Sequence, residues 1–250
     1  MNISGFGRMA GRLVLGAAAT YGVYDYLIRP WHLKWGATGM EARQPLPGDE
    51  LIRRPRLVAT RAITINAAPA DVWPWLAQLG QGRGGFYSYE WLENLIGAEI
   101  RNAGAIIPEL QGIEAGEIIR LSPERPAGEK QSPRMMVDRV EPGRALVLRA
   151  RINTTNWELI DDSSPAPGNY ADISWSLFLE PRDEQGTRLI VRTRMDWNSG
   201  IRSFVLWRLL TEPAHFVMER GMLLGVKKRA EKIAVSGPEA GMPGEEPQAA

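Results

Sequence analysis

The chain has two histidines and no cysteine, which excludes thiol nucleophiles, disulfides and cysteine metal sites together. His215 is the histidine in the best chemical setting. Glu212 lies three residues before it and Glu219 four after, so a helix would put both carboxylates beside the imidazole. Metal sites need three or four ligands, and this is a single short set; no metal and no cofactor are implied. His215 is then either a polar contact or general acid/base facing a pocket, or a hydrogen-bonded histidine near a helix start. No G-x-S-x-G is present, and Asp161-Asp162 sits in a Ser/Pro/Gly loop where turn chemistry is expected. Gly80-Gln-Gly-Arg-Gly-Gly85 matches G-x-G-x-x-G, but it follows a helical pattern with no strand before it. That context points to a hinge or pocket-mouth loop in place of a dinucleotide cradle. The catalytic residues, if any, are unknown from sequence.

A second group of residues has the character of a pocket lining. Tyr87, Tyr89, Trp91 and Asn94 form an aromatic-polar run after the glycine loop. Trp75 precedes it on an apolar helix face with Val72, Leu76 and Leu79. Trp175 and Leu177 share one face of a strand, Val191 and Trp197 lie on another, and Met218 and Met222 follow His215 on a helix. Mostly apolar walls with a few polar groups suit a hydrophobic ligand; the same spacing also suits an ordinary core. Arg188, Arg192 and Arg194 alternate with Leu189, Val191 and Thr193, so the arginines are expected on the solvated face. Were they to point inward, an anionic ligand group would be implied.

These residues need a scaffold, and the pattern supplies one. Residues 57–65 read as a strand, and Pro69 and Asp71 open a short helix that Pro74 is expected to kink or shorten. A second short helix covers 86–96. Strand patterns follow at 117–121, 134–140, 145–152, 172–180 and 188–197, with turns at Pro142-Gly143 and 183–186. A long helix closes the domain from about 212 to 235, with Thr211 as its expected N-cap and Pro213 in its first turn. The order predicts an α+β helix-grip fold: a curved antiparallel sheet wrapped around a long C-terminal helix. Gly221 and Gly225 on that helix leave room for a neighbouring backbone or for a ligand.

Before the domain, residues 1–36 form an apolar N-terminal segment and 37–56 a proline-containing linker; 57–235 is the domain and 236–250 reads as a disordered tail. Residues 13–28 would span about 24 Å as a helix, short of a hydrocarbon core of about 30 Å. A membrane anchor, an export signal and a helix packed on the domain remain open readings. The expected location is membrane-associated, side unknown, with a cytoplasmic alternative. Net charge is +1, with no clustered basic face, so nucleic acid is not an expected partner.

Residues 62–73, AITINAAPADVW, resemble the opening of the SRPBCC superfamily, which includes START domains, polyketide cyclases and Bet v 1-like proteins. Residues 73–97 and 212–228 are similar to an uncharacterised bacterial branch of it, and the likeness covers about 57–234. It implies the helix-grip fold and an internal cavity for a lipid-like or polycyclic molecule. A non-catalytic binding or transport protein is the leading expectation; a cyclase or dehydratase acting on a hydrophobic substrate in the same cavity is the alternative.

Overall fold

The computed structural model describes residues 19–126, 130–161, 164–165, 167–182 and 186–236. Residues 13–18 of the apolar segment, Asp162, the turn residues 183–185 and the tail from 237 lie outside the described residues. Six strands form one antiparallel sheet: β1 (Leu57–Ile65), β2 (Ile118–Arg120), β3 (Arg134–Glu141), β4 (Ala145–Asn153), β5 (Tyr170–Arg182) and β6 (Gly186–Trp197). Their order is β1-β6-β5-β4-β3-β2, so the first strand returns beside the last. β3 carries an irregularity between Val137 and Arg139.

Alternation assigns the faces. Leu57, Ala59 and Ile65 of β1, Leu146 and Leu148 of β4, Leu177 and Leu179 of β5, and Leu189 and Val191 of β6 point to one main core. That core is closed by the helix Pro69–Ala77 and by Met222, Leu223, Val226 and Ala230 of the C-terminal helix. Pro74 is accommodated inside the helix Pro69–Ala77.

The C-terminal helix begins earlier than expected. It runs over residues 201–236, entered from Gly200 at φ 140°, so Thr211 is an interior residue and not its cap. Pro213 removes one amide donor and crowds the carbonyl four residues back. The helix widens to π geometry over Phe204–Thr211, just ahead of that proline. Residues 19–33 repeat the solution: π geometry over Tyr24–Ile28 precedes Pro30.

The arginines of β6 correct a second expectation. They point away from the main core, yet they are not solvated. Residues 37–56, expected as an extended linker, lie across this outer face. Arg188 binds Glu41 through Nε at 2.7 Å and donates to the Gly36 carbonyl at 2.6 Å. Arg192 binds Asp49 at 2.6 Å and the carbonyls of Glu41 and Gln44 at 2.8 Å each. Arg194 donates to the Ile52 carbonyl at 2.9 Å. Leu46 meets Ala62 and Ile190 in a small second core beneath the strap. The strap's own turn at Thr38 and Glu41 is a reciprocal cap: each backbone amide donates to the other's side chain. At Gly36 the chain runs against the free edge of β1, and a Cβ there would stand 2.1 Å from the Ala62 carbonyl oxygen.

Candidate functional site

A cluster of charged and polar side chains lies between the helix-facing side of the sheet and the C-terminal helix. Arg61 occupies an inward position of β1 and is fully buried. Trp175 of β5 and Thr193 of β6 are cross-strand partners on the same face. Glu219 reaches them from the helix. Its Oε2 accepts from Arg61 at 2.5 Å, and its Oε1 accepts from Trp175 Nε1 at 2.8 Å and Thr193 Oγ1 at 3.3 Å. Burial alone would push the Glu219 carboxyl up. The Arg61 guanidinium, His215 and the bonds from Arg61 and Trp175 outweigh that and hold it below the usual carboxylate range. Arg61 also donates through Nε to the His32 carbonyl at 2.8 Å, and its guanidinium stacks 5.2 Å from the Phe216 ring centre.

His215 is the exposed member of the cluster, with 29% of its side chain open to solvent against 1% for Glu219. Arg61 has only donors, so at the 3.2 Å contact His215 Nδ1 must accept. The proton of the neutral ring then sits on Nε2, 3.6 Å from Glu219 Oε1. Burial lowers the His215 pKa; Glu219 pulls it back up and Arg61 pushes it down, with a net lowering. The ring is therefore neutral near pH 7, and its lone pair is already engaged. Trp175, buried in the main core, packs edge-on to His215 at 6.4 Å, and Phe86, only partly buried, lies 6.4 Å from Trp175. Phe86, Trp175 and His215 thus form a chain of ring contacts, of which Trp175 and His215 touch the buried ion pair.

The residues expected to line a pocket are distributed unequally. Trp75, Leu177, Val191, Trp197 and Met222 are buried members of the main core. Tyr87 is buried too, with its ring against Trp75 and under Arg229, and burial pushes its hydroxyl well up. Tyr89 and Met218 are half-buried where the loop 87–89 crosses the helix, and Ser88 donates there to the Met218 carbonyl. Trp91 is 70% exposed, and Asn94 spends its amide closing a turn onto Ile100, so neither joins the cluster. Gly221 and Gly225 leave no space for a ligand: added Cβ atoms would meet Ser88 and Tyr89 at the first and the Tyr87 backbone at the second.

The glycine loop is closed on itself. The amides of Gly80, Gln81, Arg83, Gly84 and Gly85 all donate to protein carbonyls, so they cannot cradle a phosphate. No group of three or more metal-ligating side chains occurs among the described residues. Glu212 turns away from His215 towards the N-terminal helix, where Arg29 holds it at 2.7 and 3.1 Å. A cavity of about 360 Å³ opens on the outer face of the sheet, not under the helix, lined by Met136, Arg149, Arg151, Leu159, Ile160 and Asp161.

Sequence reading put Thr193 on the inward face of its strand but missed Arg61, Phe86 and the inward role of Glu219. Arg61 did carry a signal: it occupies the 57-59-61-63-65 face of a strand whose other members are apolar. Glu219 did not, because a His-Glu pair four apart reads equally well as a surface pair.

No protein-family model and no curated protein matches the chain. Among solved structures it is similar to the Zhui aromatase/cyclase from Streptomyces sp. R1128, at 17% identity and TM-score 0.40, over 72% of this chain and 98% of that one. It is similar to norcoclaurine synthase from Thalictrum flavum at 14% identity and TM-score 0.39, over 78% and 95%. A conserved protein from Geobacillus kaustophilus matches at 12% identity and TM-score 0.39, over 71% and 97%. Likenesses this distant decide nothing about activity. On its own strand order and closing helix, the chain has a helix-grip α+β fold, the arrangement that the resemblance of residues 57–234 to the SRPBCC superfamily implies.

Proposed function

We propose that the protein binds a hydrophobic small molecule, lipid-like or polycyclic, at the Phe86–Trp175–His215 rings. The ligand's polar end is directed towards the Arg61–Glu219 pair. One observation carries this reading: an ionised carboxylate–guanidinium pair is buried between the sheet and the C-terminal helix, in contact with a partly exposed histidine. Desolvating both charges costs about as much as their attraction returns, so well-packed apolar residues would hold these elements at least as well. Oriented polar groups set into an apolar wall are what a small-molecule site requires. The catalytic alternative fits less well. His215 would have to break its contact with Arg61 before taking a proton, and its lowered pKa makes it a weak base.

The test is organic extraction and native mass spectrometry of the purified full chain, followed by titration with the fluorescent fatty acid cis-parinaric acid. The expected result is one probe per chain, bound at least tenfold more weakly by Phe86→Ala and His215→Ala. No copurified molecule and no saturable probe binding, or equal binding by both variants, would overturn the proposal.

A further inference from the structure

The N-terminal helix (residues 19–33) lies beside the first half of the C-terminal helix. Tyr21 meets Phe204 at 6.0 Å, Asp25 pairs with Arg208, Arg29 with Glu212, and Trp31 meets Phe216 at 5.3 Å. The partners advance in the same direction along both helices, by one turn per rung over the first three, so the two helices run parallel. Tyr24 and His32 also converge on Glu212, at 3.2 and 3.5 Å. The middle of the seam is therefore ionic and polar, with an aromatic contact at either end. The outward faces are apolar: Tyr26 is 80% exposed, Leu27 70%, Trp31 57%, Ile201 76% and Leu210 60%. Val23, Ile28, Val205, Leu206 and Leu209 are exposed beside them.

Over its middle turns the contact inverts the arrangement that water favours. Apolar residues ordinarily fill a helix–helix contact while charges face solvent. Polar side chains between helices with apolar residues outward is the pattern of helices whose surroundings are lipid. We infer that this two-helix face docks on the surface of a lipid bilayer. The charges agree. Asp25 and Glu212 are the acidic residues of segments 19–33 and 201–217, and both are sequestered in the seam by arginines. Arg202 and Lys34 remain exposed, which suits anionic headgroups in a way that a second identical face would not. Tyr26 and Trp31 are the side chains that favour the headgroup boundary. No described helix is long and apolar enough to cross a membrane, and burial of one apolar face needs no crossing.

The test is co-sedimentation of the full chain with vesicles of equal parts phosphatidylcholine and phosphatidylglycerol. The wild type is compared with Leu27→Glu/Leu210→Glu, which leaves residues 1–18 intact. Both positions are exposed, so the variant should keep its urea midpoint. The wild type is expected to pellet with the vesicles, and the variant's partition coefficient to fall at least tenfold. Quenching of tryptophan fluorescence by brominated lipid should fall in Trp31→Phe. Equal partition of wild type and double variant would overturn the inference. So would a wild type that ignores vesicles, whether monomeric or forming a dimer that the double variant breaks, the latter assigning the face to a second copy.

Discussion

Replacing Gly225 by alanine tests how the helix and the loop 87–89 are held together. The glycine lies mid-helix, where alanine is intrinsically better by about 1 kcal/mol, so propensity alone forecasts a stabilised protein. The structure forecasts the opposite. The new Cβ would stand 1.9 Å from the Tyr87 carbonyl oxygen and 2.8 Å from the Tyr87 Cβ. Carbon–oxygen contacts need roughly 3.3 Å, so helix and loop must separate by about 1.4 Å. Neither side gives way cheaply. Tyr87 sits at φ 58°, its amide is fixed by Asn102 Oδ1, and the next residue, Ser88, bonds the Met218 carbonyl at 2.9 Å. Overpacking costs about 1–3 kcal/mol and the Ser88 bond about 1, against a gain of about 1 from propensity. The expected net loss is about 1–3 kcal/mol, a drop in Tm of about 2–12 °C for a chain of this size. Gly22→Ala is the control: it is also helical, nothing lies within 4 Å of its Cβ position, and it should gain up to about 1 kcal/mol. Urea melts of the two variants would refute the reasoning if Gly225→Ala matched the wild type or shared the gain of Gly22→Ala.

Arg61→Met strands the Glu219 charge and should cost about 3–5 kcal/mol in urea melts, whereas Arg61→Met/Glu219→Leu should recover most of that loss. Acid should unfold the protein in two stages that denaturant midpoints between pH 2 and 7 can resolve. His32 is held at about 4, below the ordinary 6.5, by burial first and then by Arg61 and Arg29. Between those values the unfolded chain binds a proton that the folded chain refuses, so stability falls by about 3 kcal/mol as pH drops from 6.5 to 4, and His32→Gln should flatten that limb. Glu41 is held at about 2 against 4.5, chiefly by its bonds to Arg188; its contribution is complete above pH 4.5 and lost as pH falls towards 2, a limb absent from Glu41→Gln. Arg192→Ala removes the bonds by which β6 holds Asp49 and the Glu41 and Gln44 carbonyls of the strap, and limited trypsin digestion should then cut faster at the exposed Arg43 and Arg53 while the sheet resists.

The strands were legible because alternation is a local property. Residues 188–197 show it directly, and the observed β6, Gly186–Trp197, differs only at its start. The start of the closing helix was not legible for a physical reason: Thr211 before Pro213 has the form of a cap, but the helix absorbs that proline by widening to π geometry. The segment 201–210 consequently had no partner on paper, although it is helical and apolar. Asp25 was equally opaque. Beside an apolar run it reads as the end of a membrane segment, and only the fold brings Arg208 to it. The outer-face arginines were assigned to the correct face and the wrong medium, because alternation tells sides apart and says nothing of what lies on them.

Arginine–carboxylate pairs, buried or partly buried, tie several elements of this fold together, and comparing those at three places separates attachment from function. Arg188–Glu41 and Arg192–Asp49 fasten a strap that shares only a small apolar contact with the sheet. Arg29–Glu212 and Arg208–Asp25 fasten a helix whose apolar residues face outward. In both places little hydrophobic burial is available, so directional charged bonds supply the attachment. Arg61–Glu219 joins β1 to the C-terminal helix, and both of these elements already belong to the main apolar core. Attachment therefore does not account for this pair. Its cost in desolvation is explicable if something other than the protein uses the field that it sets up at His215.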